Sequence, residues 1–236
     1  MNSVVFLHGA GMGGWMWRPQ IAALRQFRCL APDLPNHGTN ISLPWRSIRD
    51  SAQWVAEFIR QEAGGRADIV GLSLGAVVGY ELLAAFPDSV DRMVLSGGMG
   101  LGKPGRTMVG RLTRATMGLA SSRLLVRATA AAMRIPAEDR ALAVRDMTRI
   151  APAVLSDMVD QVMAYHVDDS LRLRPHRVLA MAGRFEAPSI KHTVRHLAEL
   201  MPNAKVVIVP KGLHTWNWQF PDLFSQTVAD WLSRDS

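Results

Sequence analysis

Apolar positions gather in six short, nearly continuous runs: Val4–Leu7, Arg28–Pro32, Asp68–Leu72, Arg92–Leu95, Arg177–Ala182 and Lys205–Val209. Runs of this length without strict polar alternation predict strands buried on both faces, as in a parallel sheet. Between them the apolar spacing predicts helices near Trp17–Gln26, Ile48–Glu62, Leu74–Phe86, Ile190–Met201 and Phe220–Leu232. Strand and helix alternating in this way predict right-handed crossovers. The expected fold is α/β, a mostly parallel six-stranded sheet with helices on both faces. One connection breaks the rhythm: roughly eighty residues separate the fourth run from the fifth, too many for a structureless loop. Helical patterns recur there near Arg106–Gly118, Ser122–Met133, Ala137–Arg149 and Ala151–Tyr165, with Pro136 and Pro152 as punctuation. The expected division is a core domain of residues 1–100 and 175–236 and a helical cap at 101–174, over the sheet's carboxyl edge.

A chain of 236 residues, 48% hydrophobic and 20% charged, has the make-up of a globular protein rather than a disordered one. The net charge of +7 is less ordinary. From Leu101 to Arg177 there are thirteen basic residues against seven acidic, while the rest of the chain carries fourteen against thirteen. No Asp or Glu occurs between Met93 and Ala137, whereas Lys103, Arg106, Arg111, Arg114, Arg123, Arg127 and Arg134 all do. The basicity therefore belongs to the expected cap. Three readings of it stay open: a solvated surface with arginine stems over apolar helices, attraction of an anionic substrate, or docking of an acidic carrier protein or membrane surface. Nucleic acid is not an expected partner, since no recognised binding module accompanies the charge. Cys29 is the only cysteine, which excludes an intrachain disulfide and predicts a buried, reduced thiol. No signal peptide is evident and the apolar runs fall short of the ~18 residues of a membrane span, so a cytoplasmic location is expected.

Chemistry enters with Gly71-Leu72-Ser73-Leu74-Gly75, a G-x-S-x-G pattern between a predicted strand and a predicted helix. In that context the serine sits on a sharp turn at a helix N-terminus, raised above the sheet as a nucleophile. A serine hydroxyl needs a base, and chain order asks for a histidine far downstream. His214, just past the last predicted strand, fits. His8 and His37 precede the serine beside glycines and suit turns, and His166, His176, His192 and His196 fall in the insert or on helices. The third member should follow the fifth strand, where Glu186 is the only acid between Asp169 and Glu199. The stretch after the fourth strand, Ser96-Gly97-Gly98-Met99-Gly100, holds no carboxylate, which favours Glu186 by elimination. Its alternative is a surface glutamate paired with Arg184. Two backbone N–H groups, of Leu74 and of Ala10 in His8-Gly9-Ala10-Gly11, are the candidate donors to an oxyanion. The nearby glycines match neither nucleotide-binding spacing, and no cofactor or metal is expected.

Taken together, His8-Gly9-Ala10-Gly11-Met12-Gly13-Gly14-Trp15, Asp33-Leu34-Pro35-Asn36-His37-Gly38, the Ser73 elbow and the order Ser73, Glu186, His214 resemble the α/β-hydrolase fold over essentially the whole chain. The opening segment is most similar to methylesterase-like and lactonase-like members. The resemblance implies a serine hydrolase that cleaves a small-molecule carboxylic ester or lactone through an acyl-enzyme, with the family's first two strands lacking and Glu in place of the usual Asp at 186. It also leaves room for C–C hydrolysis, acyl transfer or cyclisation, carrier-protein-linked ester cleavage, and a non-enzymatic ligand receptor.

Overall fold

A computed structural model describes residues 3–102 and 123–233. Lys103, Arg106, Arg111, Arg114 and the helix expected near Arg106–Gly118 lie outside the described residues. Six strands are present: β1 (Ser3–Leu7), β2 (Arg28–Leu30), β3 (Ala67–Leu72), β4 (Val90–Ser96), β5 (Arg177–Gly183) and β6 (Ala204–Val209). All neighbouring pairs are parallel, in the order β2-β1-β3-β4-β5-β6. From β1 the chain first steps outward to β2 and then crosses to β3 on the other side. The loops leaving the carboxyl ends of β1 and β3 therefore diverge and leave a crevice between them, the position where open α/β sheets bind ligands.

Period-two alternation sorts the strands' side chains into two cores. Val5, Leu7, Ile69, Met93, Leu95, Val178 and Ala180 face α2 (Ile48–Glu62), α3 (Leu74–Ala85) and a later helix, Pro188–Leu200. Val4, Phe6, Val70, Leu72, Val94, Leu179 and Met181 face the opposite layer, which includes α1 (Arg18–Ala23) and the last helix, Pro221–Ser233. Helix α2 shows how little it needs. Ser47 caps it by accepting the Asp50 N–H at 2.9 Å, and Ile48, Ala52, Val55 and Ile59 form its single buried stripe. Helix α3 differs, because Leu74 to Tyr80 are all buried and it has no wet face there.

Some boundaries move for local reasons. The helix expected from Trp17 starts as a 3₁₀ turn at Gly14–Trp17, becomes α-helical at Arg18 with Pro19 in the first turn, and stops at Ala23. Edge strand β2 ends at Leu30, short of Pro32, which has no N–H to donate. On that edge Cys29 is half-buried rather than buried, and partial burial raises its thiol pKa.

Between β4 and β5 the described residues form α4 (Arg123–Ala132), α5 (Arg140–Arg149) and α6 (Pro152–Ala164). These helices are tied back to the sheet layers at separate points. Trp15 Nε1 donates to Asp146 at 2.8 Å, Trp45 Nε1 to Asp157 at 3.0 Å, and Arg18 pairs with the buried Asp139 at 3.0 Å. Ile48 N–H donates to Gln161 Oε1 at 3.1 Å. Further α-helices among the described residues are α7 (Pro188–Leu200), α8 (Trp216–Gln219) and α9 (Pro221–Ser233).

Trp17 is fully buried between Phe6 and Phe224, with ring centroids 5.4 and 5.6 Å away. Trp17→Ala should lower stability by about 3–5 kcal/mol. Urea denaturation checks this; a loss below about 1 kcal/mol would mean that the second core is not the packed layer described.

Candidate active site

Ser73 joins β3 to α3 at φ 57° and ψ −116°, a left-handed conformation that a side chain adopts at a cost of about 1–3 kcal/mol. The neighbouring sequence enforces it. A Cβ at Gly71 would lie 2.6 Å from the Gly75 carbonyl oxygen, and one at Gly75 would lie 2.1 Å from that of Leu7. Only glycines let strand and helix meet this closely. The Ser73 N–H donates to the Ser96 carbonyl at 2.9 Å, which moors the turn to the end of β4. Leu74 N–H, at the first position of α3, is one of the helix's unpaired donors.

Glu186 and His214 come together from the ends of β5 and β6. Glu186 Oε1 lies 2.5 Å from His214 Nδ1, and Glu186 Oε2 accepts the Gly183 N–H at 2.6 Å. The carboxylate side chain is 1% exposed and the imidazole 39%. A carboxylate accepts, so Nδ1 is the ring nitrogen that donates to Glu186, and Nε2 is the one turned away from it. Glu186 is therefore not the Arg184-paired surface residue considered as its alternative. Gly97, at φ 67°, closes the arrangement: a Cβ there would sit 2.9 Å from His214 Cε1 and 3.0 Å from Glu186 Oε1. The same Ser96-Gly97 corner thus receives the Ser73 N–H on one side and the imidazole on the other. Among the described residues Ser73 Oγ makes no hydrogen bond to His214, whose Nδ1 is taken by Glu186.

The turn after β1 lies against the elbow, with a Cβ at Gly9 3.6 Å from that of Ser73. Two buried histidines hold this turn. His8 accepts the Leu34 N–H at Nε2 (2.8 Å), and His37 accepts the Gly11 N–H at Nε2 (3.1 Å). Their Nδ1 atoms face the carbonyls of Gly9 and Pro35 at 2.9 and 3.0 Å. Burial lowers both pKa values, that of His37 to about 3, so both rings are neutral and each has a fixed tautomer. Asp33 accepts from Gly14 N–H at 2.7 Å, Thr39 N–H at 2.7 Å and the Thr39 hydroxyl at 2.8 Å. Burial works to raise its pKa, but these bonds prevail and hold the carboxyl below its usual range. Ala10 thus sits in a loop fixed on both sides.

The remaining histidines stay away from this cluster: His166 bridges to Leu101, His176 precedes β5, and His192 and His196 lie on α7. Trp17 and Trp216 are core residues, with Trp216 Nε1 donating to Ser96 Oγ at 2.8 Å; Trp15 stacks on Trp218. Beside His214 opens a cavity of about 460 Å³, lined by Met133, Phe185, Ile190, Leu213 and Thr215. Phe185 is 65% exposed at this cavity, and Thr215 Oγ1 donates to the Met133 carbonyl at 2.7 Å, joining the end of α4 to the His214 loop. Sequence reasoning assigned His8 and His37 to turns, as found, but left out Gly97 and the supporting role of Asp33. Their signal was present in the glycine run after β4 and in the Asp33–Gly38 segment.

A serine elbow after β3, a histidine-held loop after β1, and a carboxylate and a histidine after the last two strands define an α/β-hydrolase arrangement. The chain belongs to the alpha/beta hydrolase family, whose model matches residues 4–227. It is 36% identical to an esterase of Mycobacterium tuberculosis over 97 residues, covering 39% of this chain and 31% of that protein. It is 31% identical to a pimeloyl-[acyl-carrier protein] methyl ester esterase of Pectobacterium carotovorum over 94 residues, 39% of this chain and 35% of that one. Each of these two matches spans about a third of the relative's own length. The enol-lactonase of Burkholderia xenovorans LB400 superposes with a TM-score of 0.79 over 99% of this chain and 92% of its own, at 23% identity, a likeness of fold. No described helix is long and apolar enough to cross a membrane.

The neutral His37 generates a pH prediction. The unfolded chain takes up a proton near pH 6.5 that the folded chain refuses until about pH 3. Stability present above pH 6.5 is therefore lost as pH falls through that window, at up to about 1.4 kcal/mol per pH unit for one such group. His37→Gln keeps an acceptor for Gly11 N–H without a titrating group. Its urea-denaturation stability should fall less steeply than wild type between pH 6.5 and 4.5, and parallel curves would refute the assignment.

Proposed function

We propose that this protein is a serine hydrolase that cleaves a carboxylic ester or lactone through an acyl-enzyme. The observation that carries the reading is the buried Glu186 on His214 Nδ1, packed against Gly97, with the serine at φ 57° moored to the adjoining Ser96 carbonyl. In this reading Ser73 Oγ attacks the carbonyl carbon while His214 Nε2 takes its proton. The carbonyl oxygen becomes an oxyanion that accepts from the Ala10 and Leu74 N–H groups. Collapse of the intermediate expels the alcohol, which leaves with the proton from Nε2, and the acyl group stays on Ser73. Water deprotonated by the same nitrogen then attacks the ester, and the acid departs with Ser73 reprotonated. Glu186 fixes the tautomer and stabilises the imidazolium formed in each half. Residues 101–174 serve as the cap, and the apolar lining near His214 suits an acyl or alcohol group of low polarity.

The excess basic charge of residues 101–177, together with the acyl-carrier ester named for one relative, favours a second reading in which the ester arrives on an acidic carrier protein. Its signature would be a KM for the carried ester that rises steeply with salt, against a salt-independent KM for a small neutral ester.

With p-nitrophenyl acetate or butyrate as substrate, Ser73→Ala should reduce kcat by about 10⁴-fold or more, and Glu186→Gln by about 10⁴-fold. A serine-reactive phosphonate should add its mass to Ser73 in wild type and not in Ser73→Ala. Equal ester turnover by wild type and Ser73→Ala would overturn the hydrolase reading. Ligand binding without turnover, unaffected by that substitution, would point to a receptor. Gly97→Ala should lower kcat by displacing the imidazole, with secondary structure retained by circular dichroism; unchanged kcat would mean that His214 does not need its observed place.

A further inference from the structure

Helix α5 presents two adjacent rows on its outer face, Arg140-Val144-Thr148 and Ala141-Arg145-Arg149, each at four-residue spacing. With Arg127 from α4 they line a hollow of about 600 Å³, separate from the cavity beside His214. Four guanidinium-bearing side chains converge there, and no acidic residue lines the hollow among the described residues. Like charges four residues apart on a helix, as Arg145 and Arg149 are, repel one another.

Six arginines elsewhere, Arg18, Arg49, Arg60, Arg66, Arg92 and Arg172, each sit on a carboxylate. Of the four around the hollow, only Arg145 forms an ion pair among the described residues. Its partner Asp146 is buried behind the helix and also accepts from Trp15 Nε1. That carboxylate already accepts three hydrogen bonds and does not line the hollow. Two further stems are steadied by backbone carbonyls: Arg140 Nε donates to Ile135 at 3.1 Å, and Arg149 Nη1 reaches Gly38 at 3.4 Å. Partly fixed guanidinium groups with unspent N–H donors match the geometry of a phosphoryl group, which accepts paired N–H bonds.

We propose that this hollow is a binding site for a small anion carrying a phosphoryl or pyrophosphoryl group, independent of the chemistry at Ser73. The anion offsets the mutual repulsion of Arg127, Arg140 and Arg149 and takes the donors that no carboxylate takes. Its binding does not require that the protein be a hydrolase, so the two readings stand or fall separately.

The test is calorimetric titration of the full chain with inorganic pyrophosphate at low ionic strength, using sodium chloride of matched ionic strength as the blank. Wild type and Ser73→Ala should bind alike. The combined variant Arg127→Gln, Arg140→Gln, Arg149→Gln should bind at least about tenfold more weakly. A control with the same loss of charge elsewhere, Arg25→Gln, Arg172→Gln, Arg195→Gln, should change affinity by less than about twofold. Amide shifts of wild type on adding pyrophosphate should centre on Val144 and Thr148, a readout that needs no variant to fold. Absence of binding, equal weakening in both triple variants, or shifts scattered over the surface would each overturn the proposal.

Discussion

The approach of helix α3 to strand β1 sets the geometry of everything above the sheet. Gly75 lies so close to the Leu7 carbonyl that no side chain fits between them, and the chain enters the helix seated there from β3 through Ser73 in a left-handed conformation. The strain at Ser73 is local, and the support is distributed. Helix α3 is wrapped in apolar contacts, and Leu74, Ala76, Val77 and Val78 are buried without a polar face that could pull the helix outward. A residue that could relax its backbone only by lifting this helix off the sheet stays strained.

Around that fixed point the polar groups are arranged by denying them alternatives. His8 and His37 are buried neutral, so each ring has one donor and one acceptor, and each is consumed by a backbone partner. Glu186 has one oxygen on the backbone of Gly183 and the other on His214. In a low-dielectric setting a group whose partners are all assigned cannot swing away without leaving something unpaired, which costs about 1–3 kcal/mol per group. The loops of this site therefore have little regular secondary structure and yet little freedom.

Much of this was legible in the sequence, and the reason is physical. Strands buried on both faces leave apolar runs that need no alternation to be seen, and β3 and β6 fall within one residue of where their runs predict them. Helix α2 occupies the predicted Ile48–Glu62 because its cap, its stripe and its end are all local signals. The Ser73 elbow could be read because glycine spacing records a steric requirement. Glu186 could be singled out because its neighbourhood held no competing acid, but its burial and its contact with His214 depend on the β5–β6 register. The contribution of Gly97 was hidden for the same reason: its close neighbours come from segments some 90 and 120 residues away, at Glu186 and His214. The 3₁₀ start of the helix at Gly14 was missed because its N–H is spent on Asp33, in the loop after β2 and 19 residues away in the chain.

The pairing of Arg92 with Arg177 puts β4 and β5 side by side although about 85 residues separate them along the chain. Loop-closure entropy grows only with the logarithm of length. Lengthening such a connection from ~20 to ~85 residues therefore costs about 1.3 kcal/mol, less than two buried methylene groups return. The sheet is thus nearly indifferent to how much chain is spliced in at this joint. The chain between β4 and β5 could be exchanged for another arrangement of helices while the elbow, the loop after β1 and the Glu186–His214 contact stay as they are. The joint between β4 and β5 is where this scaffold can be re-tailored to a new ligand with least disturbance to its foundation.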